Sequence, residues 1–402
     1  MTNTIEVTRP EVARDGLSRT LSTSGGALST GWVVQTQQSV VYDVRTRDGL
    51  FDGNDRELID AGATGRSATL RRFVVVDETV EALYGERIRG YFAAHGVETH
   101  ILALDVSESA KTMQSVFDVV DGIDSFGISR RHEPIIGIGG GVLLDIVGLA
   151  ASLYRRSTPY IRVPTTLMGI VDAGIGAKTG VNYSSHKNRL GSYYAPKAVF
   201  LDRTFLASLQ PRELSNGLAE ILKIALVKDR RLFELLEEHG ERLIEDRFQD
   251  CEAAGEVLDR SIHGMLEELQ PNLWEAQLER LVDFGHTFSP ALEMRALPSL
   301  LHGEAVTIDM ALSTALSAAR GLISEADAER VLATMRALRL PTSHELCRPE
   351  LLWDALQESV DHRDGLQRTP LAVGIGDAMF VNDLTQAEVA NAAAWLADRA
   401  AR

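Results

Sequence analysis

The chain has 402 residues, 45% hydrophobic and 24% charged, with a net charge of 41 − 57 = −16. That length supports two domains or one large one with substantial cores, and the acidic balance excludes nucleic acid or an anionic membrane as a partner over the whole surface. Two cysteines, Cys251 and Cys347, are too few for a disulfide framework or a cysteine metal cluster.

Residues 1–30 are rich in Ser, Thr and Gly and read as a flexible arm. The acids Glu6, Glu11 and Asp15 do not suit a secretory signal, and no apolar run reaches membrane-spanning length. A cytoplasmic protein is expected. Strand-like runs follow at 32–35 and 39–44. From Arg72 strands at 73–76, 99–104, 135–138 and 160–163 are spaced by helical patterns at 80–95, 110–126 and 142–154. Such alternation predicts parallel βαβ units with ligands at the carboxyl ends of the strands. After Asp202 helical periodicity dominates (213–227, 232–239, 253–268, 302–319, 325–338, 386–400), apart from a strand pair at 371–381. The expected organisation is an α/β domain over 31–205 and an all-α domain over 206–402.

Chemistry-bearing residues concentrate between Gly139 and Lys228, where eleven Lys/Arg face five acids, a net +6 suited to a small anion. Gly139-Gly140-Gly141-Val142 lies between a strand and a helix and can bring backbone N–H groups close to a pyrophosphate. It is not a G-x-G-x-x-G fingerprint, and a tight turn without a ligand explains it equally well in isolation. Glu220 and Lys223 share one face of a helix that is apolar nearly all round, so the pair is expected in an enclosed polar pocket rather than on the surface. His286 and His302 each sit near the start of a helical segment. With Glu220 they make a three-ligand set that leaves positions open, as catalytic zinc sites do, although a lone histidine is more often structural. Arg156, Lys178, Lys187 and Asn188 are candidate phosphate contacts, a solvated basic face being the alternative.

In order, the blocks Gly139-Gly140-Gly141-Val142-x-x-Asp145, Val163-Pro164-Thr165-Thr166, 171–182, Lys187-Asn188, Gly217-x-Ala219-Glu220-x-x-Lys223, Gly285-His286-Thr287-Phe288 and His302-Gly303-Glu304 resemble the dehydroquinate synthase superfamily, the sugar phosphate cyclases, across roughly residues 72–381. The resemblance implies a Rossmann-like N-terminal domain, a helical C-terminal domain and NAD bound by Asp77, Glu108, Lys111, Gly140, Gly141, Val142, Asp145, Thr165, Thr166 and Lys187. It implies zinc or cobalt on Glu220, His286 and His302, and Asp172, Lys178, Asn188 and Lys223 at the substrate. It further implies a homodimer, with Arg156 reaching the neighbouring subunit's phosphate site.

Departures from the dehydroquinate synthase pattern place the chain within the superfamily. Counted back from His286, the lysine and arginine that bind a substrate carboxylate there become Met265 and Glu279. Glu279 is expected to repel a carboxylate. Asp283 replaces an asparagine, Pro290 a second histidine and His362 a lysine. With Leu269 this resembles the 2-epi-5-epi-valiolone synthases, which cyclise sedoheptulose 7-phosphate for seven-carbon aminocyclitols. The resemblance implies transient oxidation at C5, which acidifies C6–H so that phosphate leaves from C7. Reduction at C5, ring opening and an intramolecular aldol closure follow. Asp283 and His362 are expected to orient the ring-opened intermediate. Demethyl-4-deoxygadusol and 2-epi-valiolone synthases are the near alternatives; a 3-dehydroquinate synthase or an NAD- and metal-dependent alcohol dehydrogenase are the distant ones.

Overall fold

The computed structural model describes residues 16–24, 27–62, 70–184 and 186–400. Two strands, β1 (Gly16–Ser24) and β2 (Ala27–Gln35), pair antiparallel as a hairpin within a separate unit, residues 1–41. Residues 1–15 of the expected arm lie outside the described residues. The strand expected at 32–35 is the end of β2, and the Thr- and Ser-rich stretch before it also forms extended backbone.

Residues 42–402 make the second unit. Its first half runs β3 (Asp43–Thr46), α1 (Glu57–Asp60), β4 (Arg71–Asp77), α2 (Glu78–Ala94), β5 (Glu98–Leu104), α3 (Met113–Phe126), β6 (Ile135–Gly139), α4 (Gly141–Leu153), β7 (Tyr160–Pro164), a hairpin of β8 (Lys178–Tyr183) and β9 (His186–Tyr193), and β10 (Ala198–Leu201). Six of these strands form a parallel sheet in the order β3-β10-β7-β6-β4-β5. Successive side chains of a strand point to opposite faces. Val74 and Val76 therefore pack with Ile88 and Phe92 of α2 on one face, while Phe73 and Val75 pack with Val116 and Ile123 of α3 and Leu144 of α4 on the other. Both faces are covered, which is why the strands read as near-continuous apolar runs.

The strand order reverses between β6 and β4, and a crevice opens at such a switch point beyond the carboxyl ends. Asp77, the glycine run and Thr165 follow β4, β6 and β7 at that edge; a Cβ on Gly139 would lie 3.2 Å from the Asp77 Cβ.

From Pro211 the chain is helical: α5 (Pro211–Val227), α6 (Arg230–Glu245), α7 (Ala253–Leu269), α8 (Ser289–Ala296), α9 (His302–Ala319), α10 (Glu325–Ala337), α11 (Pro349–His362) and α12 (Gln386–Ala400), interrupted by the antiparallel pair β11 (Thr369–Ala372) and β12 (Ala378–Val381). Helix α5 starts on Pro211, whose missing N–H costs nothing in a first turn. Every residue of α5 from Leu214 to Val227 is buried, so it is the axis of the helical half. The sequence pattern does not predict α1, the β8–β9 hairpin, β10, the short α8 or α11; Lys, Asn, Ser and Gly dominate the hairpin, and much of β9 is exposed.

Candidate active site

The cleft between these halves has a volume of about 860 Å³ and is lined among others by Asp172, Lys178, Lys187, Lys223, His286 and His362. Asp172 lies in a π-helical turn, Gly169–Ala173, a local winding that often marks functional positions. Its Oδ2 is 4.0 Å from the Lys223 Nζ.

Glu220 and Lys223 form an ion pair one turn apart on α5, with side chains 0% and 2% exposed. The expected enclosed pocket is therefore what the helix builds. Glu220 Oε1 lies 3.4 Å from Nε2 of His302 and 4.0 Å from Nε2 of His286, and it has no hydrogen-bond partner. The ligand atoms of the three residues all fall within 4.8 Å of one another. Each imidazole has its other nitrogen engaged: Nδ1 of His286 is 3.1 Å from the Phe284 carbonyl, and Nδ1 of His302 is 2.9 Å from Glu293 Oε2. A buried, orphaned carboxylate oxygen facing two oriented Nε2 atoms fits a divalent metal such as zinc.

Close packing of α9 on α5 makes this convergence possible. A side chain at Gly303 would overlap the Asn216 carbonyl, and the Gly303 N–H donates to Asn216 Oδ1 at 2.6 Å. Asn216 is one turn before Glu220 on the same face, so this contact sets His302 over the carboxylate. Arg212 clamps Glu304 with two 2.7 Å bonds one turn earlier.

Electrostatics follow from burial and these partners. Burial works to raise the Glu220 pKa, but Lys223, His302 and His286 outweigh it and hold the carboxyl well below its usual range. Burial likewise opposes the Lys223 ammonium, yet Glu220 and Asp172 raise its pKa. Asp172 is raised by burial against the pull of Lys223. Burial and the Lys223 charge push His286 down to about 4. For His302 burial and the Lys187 charge are outweighed by the Glu220 and Glu293 carboxylates beside its ring, which lift it to about 9. Metal ligation needs neutral imidazole, so binding would release the His302 proton.

Glu293 was not apparent in the sequence. Burial opposes its charge, but His302 and Lys187 hold its pKa down at about 2. Lys187, expected among the cofactor contacts, donates to Glu293 at 2.5 Å and lies 4.0 Å from Glu108. It thus joins the cofactor side of the cleft to the metal-ligand side.

At the sheet edge, helix α4 begins at Gly141 with Gly140 as its N-cap and no side-chain cap, leaving first-turn amides for an anion. A Cβ at Gly141 would meet the Ala173 Cβ at 3.0 Å, so bulk is excluded there. Val142 follows in the first turn. Lys111 bridges Asp145 and Asn188 with 2.6 Å bonds, and Asn182 binds Glu108 at 2.9 Å. The Thr165 N–H donates to the Gly139 carbonyl, and Thr166 Oγ1 accepts from the Gly169 N–H. Asp77 caps α2 by accepting from the Thr79 and Val80 amides. These groups suit a dinucleotide. Asn188 belongs to this cluster and is absent from the cleft-lining residues, apart from the substrate position expected for it.

On the substrate wall Met265, Leu269, Asp283, Pro290 and His362 all line the cleft. The expectation for Glu279 is corrected. Its side chain is exposed and outside the lining, and Arg280 points inward instead. Counting back from His286 gave the register but not the direction of a side chain in this irregular segment. Asp283 is paired on this wall: Arg280 contacts it at 2.7 Å and Arg363 at 3.5 Å. Glu275 pairs with both Lys178 and Arg280 and accepts from the Tyr193 hydroxyl at 3.0 Å. Although 60% of the Lys178 side chain is exposed, loss of hydration in the cleft and the Arg280 charge lower its pKa. Arg156 is exposed on the turn after α4, with φ of 60°, and does not line its own chain's cleft.

The 3-dehydroquinate synthase N-terminal family matches residues 101–216, and the C-terminal family matches 217–362. The chain belongs to the 3-dehydroquinate synthase family. Within this family of sugar phosphate cyclases, it is 60% identical to a 2-epi-5-epi-valiolone synthase of Actinomyces sp, over 91% of this chain and 97% of that protein. It is 39% identical to the demethyl-4-deoxygadusol synthase of Trichormus variabilis, over 92% and 90% of the two. The solved structure of ValA, a 2-epi-5-epi-valiolone synthase from Streptomyces hygroscopicus subsp. jinggangensis with NAD⁺ and Zn²⁺ bound, is 57% identical and covers 92% of this chain and 100% of that one, with a TM-score of 0.87. The expected fold, a parallel sheet with helices followed by a helical half, is the family's fold. No helix among the described residues is long and apolar enough to cross a membrane.

Proposed function

We propose that this chain is a 2-epi-5-epi-valiolone synthase, which cyclises sedoheptulose 7-phosphate with elimination of phosphate and is by net chemistry a carbon–oxygen lyase. The observation that carries the reading is the buried Glu220 oxygen facing His286 and His302 beside Lys223, in a cleft whose other wall holds Met265, Leu269, Asp283, Pro290 and His362. Kinship at 60% and 57% identity supports it. When bound, NAD supplies a reversible hydride acceptor and zinc on Glu220, His286 and His302 a Lewis acid for a transient oxidation.

The chain's own residues do the rest. Gly140, Gly141 and Val142 present amides to the pyrophosphate, with Asp77, Glu108, Lys111, Asp145, Thr165, Thr166 and Lys187 around the remainder of the dinucleotide. Lys223, held charged between Glu220 and Asp172, presents a cation to an oxygen that gains charge. Lys178 offers its ammonium to the phosphate. Asp172 accepts hydrogen bonds from sugar hydroxyls next to the ligand set. Arg280, the arginine that contacts Asp283, is already matched by Glu275 and Asp283 and so is not free for a substrate carboxylate, and Met265 adds no charge.

Incubation with sedoheptulose 7-phosphate, NAD and Zn²⁺ or Co²⁺, with NMR identification of the product, tests the proposal. The expected result is one equivalent of phosphate, 2-epi-5-epi-valiolone and no net NADH. Demethyl-4-deoxygadusol or 2-epi-valiolone as the product would assign the chain to a sister activity, and steady NADH accumulation would make it a dehydrogenase. We also infer a cytoplasmic homodimer in which Arg156 of one subunit serves the other's phosphate site. Light scattering on the purified protein tests the dimer, and loss of phosphate affinity in Arg156→Ala tests the crossing.

A further inference from the structure

Asp309 is fully buried on α9, seven residues beyond His302, in a stretch where every residue from Gly303 to Ser317 is buried. An ionised carboxylate is costly in such a place unless something holds it. Burial pushes its pKa up to about 6, against the opposing pull of backbone amides. Those amides belong to the turn that follows His286. Asp309 Oδ2 accepts from the Phe288 N–H and, at 2.8 Å, from the Ser289 N–H; the Thr287 amide is also directed at the carboxylate. Its Oδ1 receives the Ser313 hydroxyl at 3.4 Å.

The same turn is pressed onto α9 by its glycine. Gly285 has φ of +78°, and a Cβ there would stand 2.9 Å from side-chain atoms of Val306 and Met310 and 3.1 Å from the Val306 carbonyl, all on α9. Ser289 Oγ closes the turn on the Gly285 carbonyl at 2.7 Å. One rigid helix therefore carries His302 at its first residue and grips the segment bearing His286 two turns later, about 10 Å along its axis.

We propose that Asp309 is a positioning residue for the metal site, holding the His286 turn at a fixed separation from His302 so that both imidazoles face Glu220 before a metal arrives. This rests on the reading of Glu220, His286 and His302 as metal ligands. It differs from the contacts of Phe284 and Glu293, which orient individual rings, because Asp309 touches neither histidine and acts through backbone.

Zinc affinity, measured by competition with a chromophoric chelator, and hydrogen exchange of the 284–290 segment with and without zinc test the role in native protein, Asp309→Ala and Asp309→Asn. Outer-shell partners typically alter metal affinity 10–100-fold. Asp309→Ala should weaken zinc binding by about that factor while NAD affinity stays within about twofold, the dinucleotide site being built elsewhere in the cleft. Exchange at 284–290 should rise without zinc and fall back when zinc is added. Asp309→Asn keeps an oxygen that accepts from Phe288 and Ser289, and should recover most of the affinity. If Asp309→Ala does not fold, Asp309→Ser, too short to reach both amides, takes its place under the same criteria.

Native zinc affinity and native exchange in the alanine or serine variant would overturn the proposal. So would parallel loss of zinc binding, NAD binding and thermal stability in every variant, which marks a general structural role. Absence of zinc binding by the native protein would sink the metal reading instead, and the exchange rates without zinc would still show whether Asp309 clamps the turn.

Discussion

Replacing Glu275 with glutamine removes one negative charge from the bridge between Lys178 and Arg280 while keeping the side chain's shape. In the native cleft a sugar phosphate that uses Lys178 must share or displace this carboxylate. The Lys178 side chain is 60% exposed, so its pair contributes at most about 1 kcal/mol. The Arg280 pair is better shielded, with side chains 20% and 17% exposed. A charge-assisted bond there contributes about 1.5–3 kcal/mol, but glutamine retains an acceptor and Asp283 remains on Arg280 at 2.7 Å. The net release at Lys178 on substitution is then at most about 1 kcal/mol, equivalent to a factor of up to about 5. Phosphate-release kinetics with sedoheptulose 7-phosphate should show KM lowered by that factor at low ionic strength. The inhibition constant of inorganic phosphate should fall in parallel, and both effects should shrink as salt screens the cleft. An unchanged or raised KM together with an unchanged phosphate inhibition constant would refute the argument that Glu275 competes with the substrate for Lys178.

His286→Ala should abolish phosphate release and lower zinc content while the circular dichroism spectrum stays native; full zinc occupancy with normal release would remove His286 from the site. The heptulosonate phosphate used by dehydroquinate synthases should be turned over at least about 10²-fold less efficiently than sedoheptulose 7-phosphate, because its extra carboxylate would lie unpaired against Met265 and an arginine already matched; comparable kcat/KM for the two sugars contradicts this. Asp283→Asn unbalances Arg280 and Arg363, and His362→Lys adds a charge to the cleft. Each should slow cyclisation or change the product mixture by NMR while NAD binding holds, and an unchanged rate and single product in both would clear these residues of any role in the outcome.

Much of the fold is legible because its signals are local. Apolar runs spaced by helical periodicity mark β4, β6 and β7, and the consecutive glycines mark the sharp entry into α4. The buried Glu220–Lys223 pair follows from an all-round apolar helix, since a charged pair on such a helix has nowhere to go but a shared pocket. The set of Glu220, His286 and His302 needed the ordered motif blocks, because residues so far apart along the chain carry no local sign that they meet.

Only tertiary packing decided which polar groups answer one another. Glu293 became a partner of His302 and Lys187, and Asp309 a clamp on the His286 turn, because α8 and α9 cross where they do. The sequence around Glu293 is that of an ordinary helical carboxylate, and the apolar run around Asp309 signals burial without naming the amides it meets. The segment 270–283 has no regular period beyond short turns, so alignment by counting placed Glu279 in the cleft where the backbone turns Arg280 inward. A regular helix or strand fixes the direction of a side chain through its period. An irregular loop does not, and there the three-dimensional structure alone determines which charge the substrate meets.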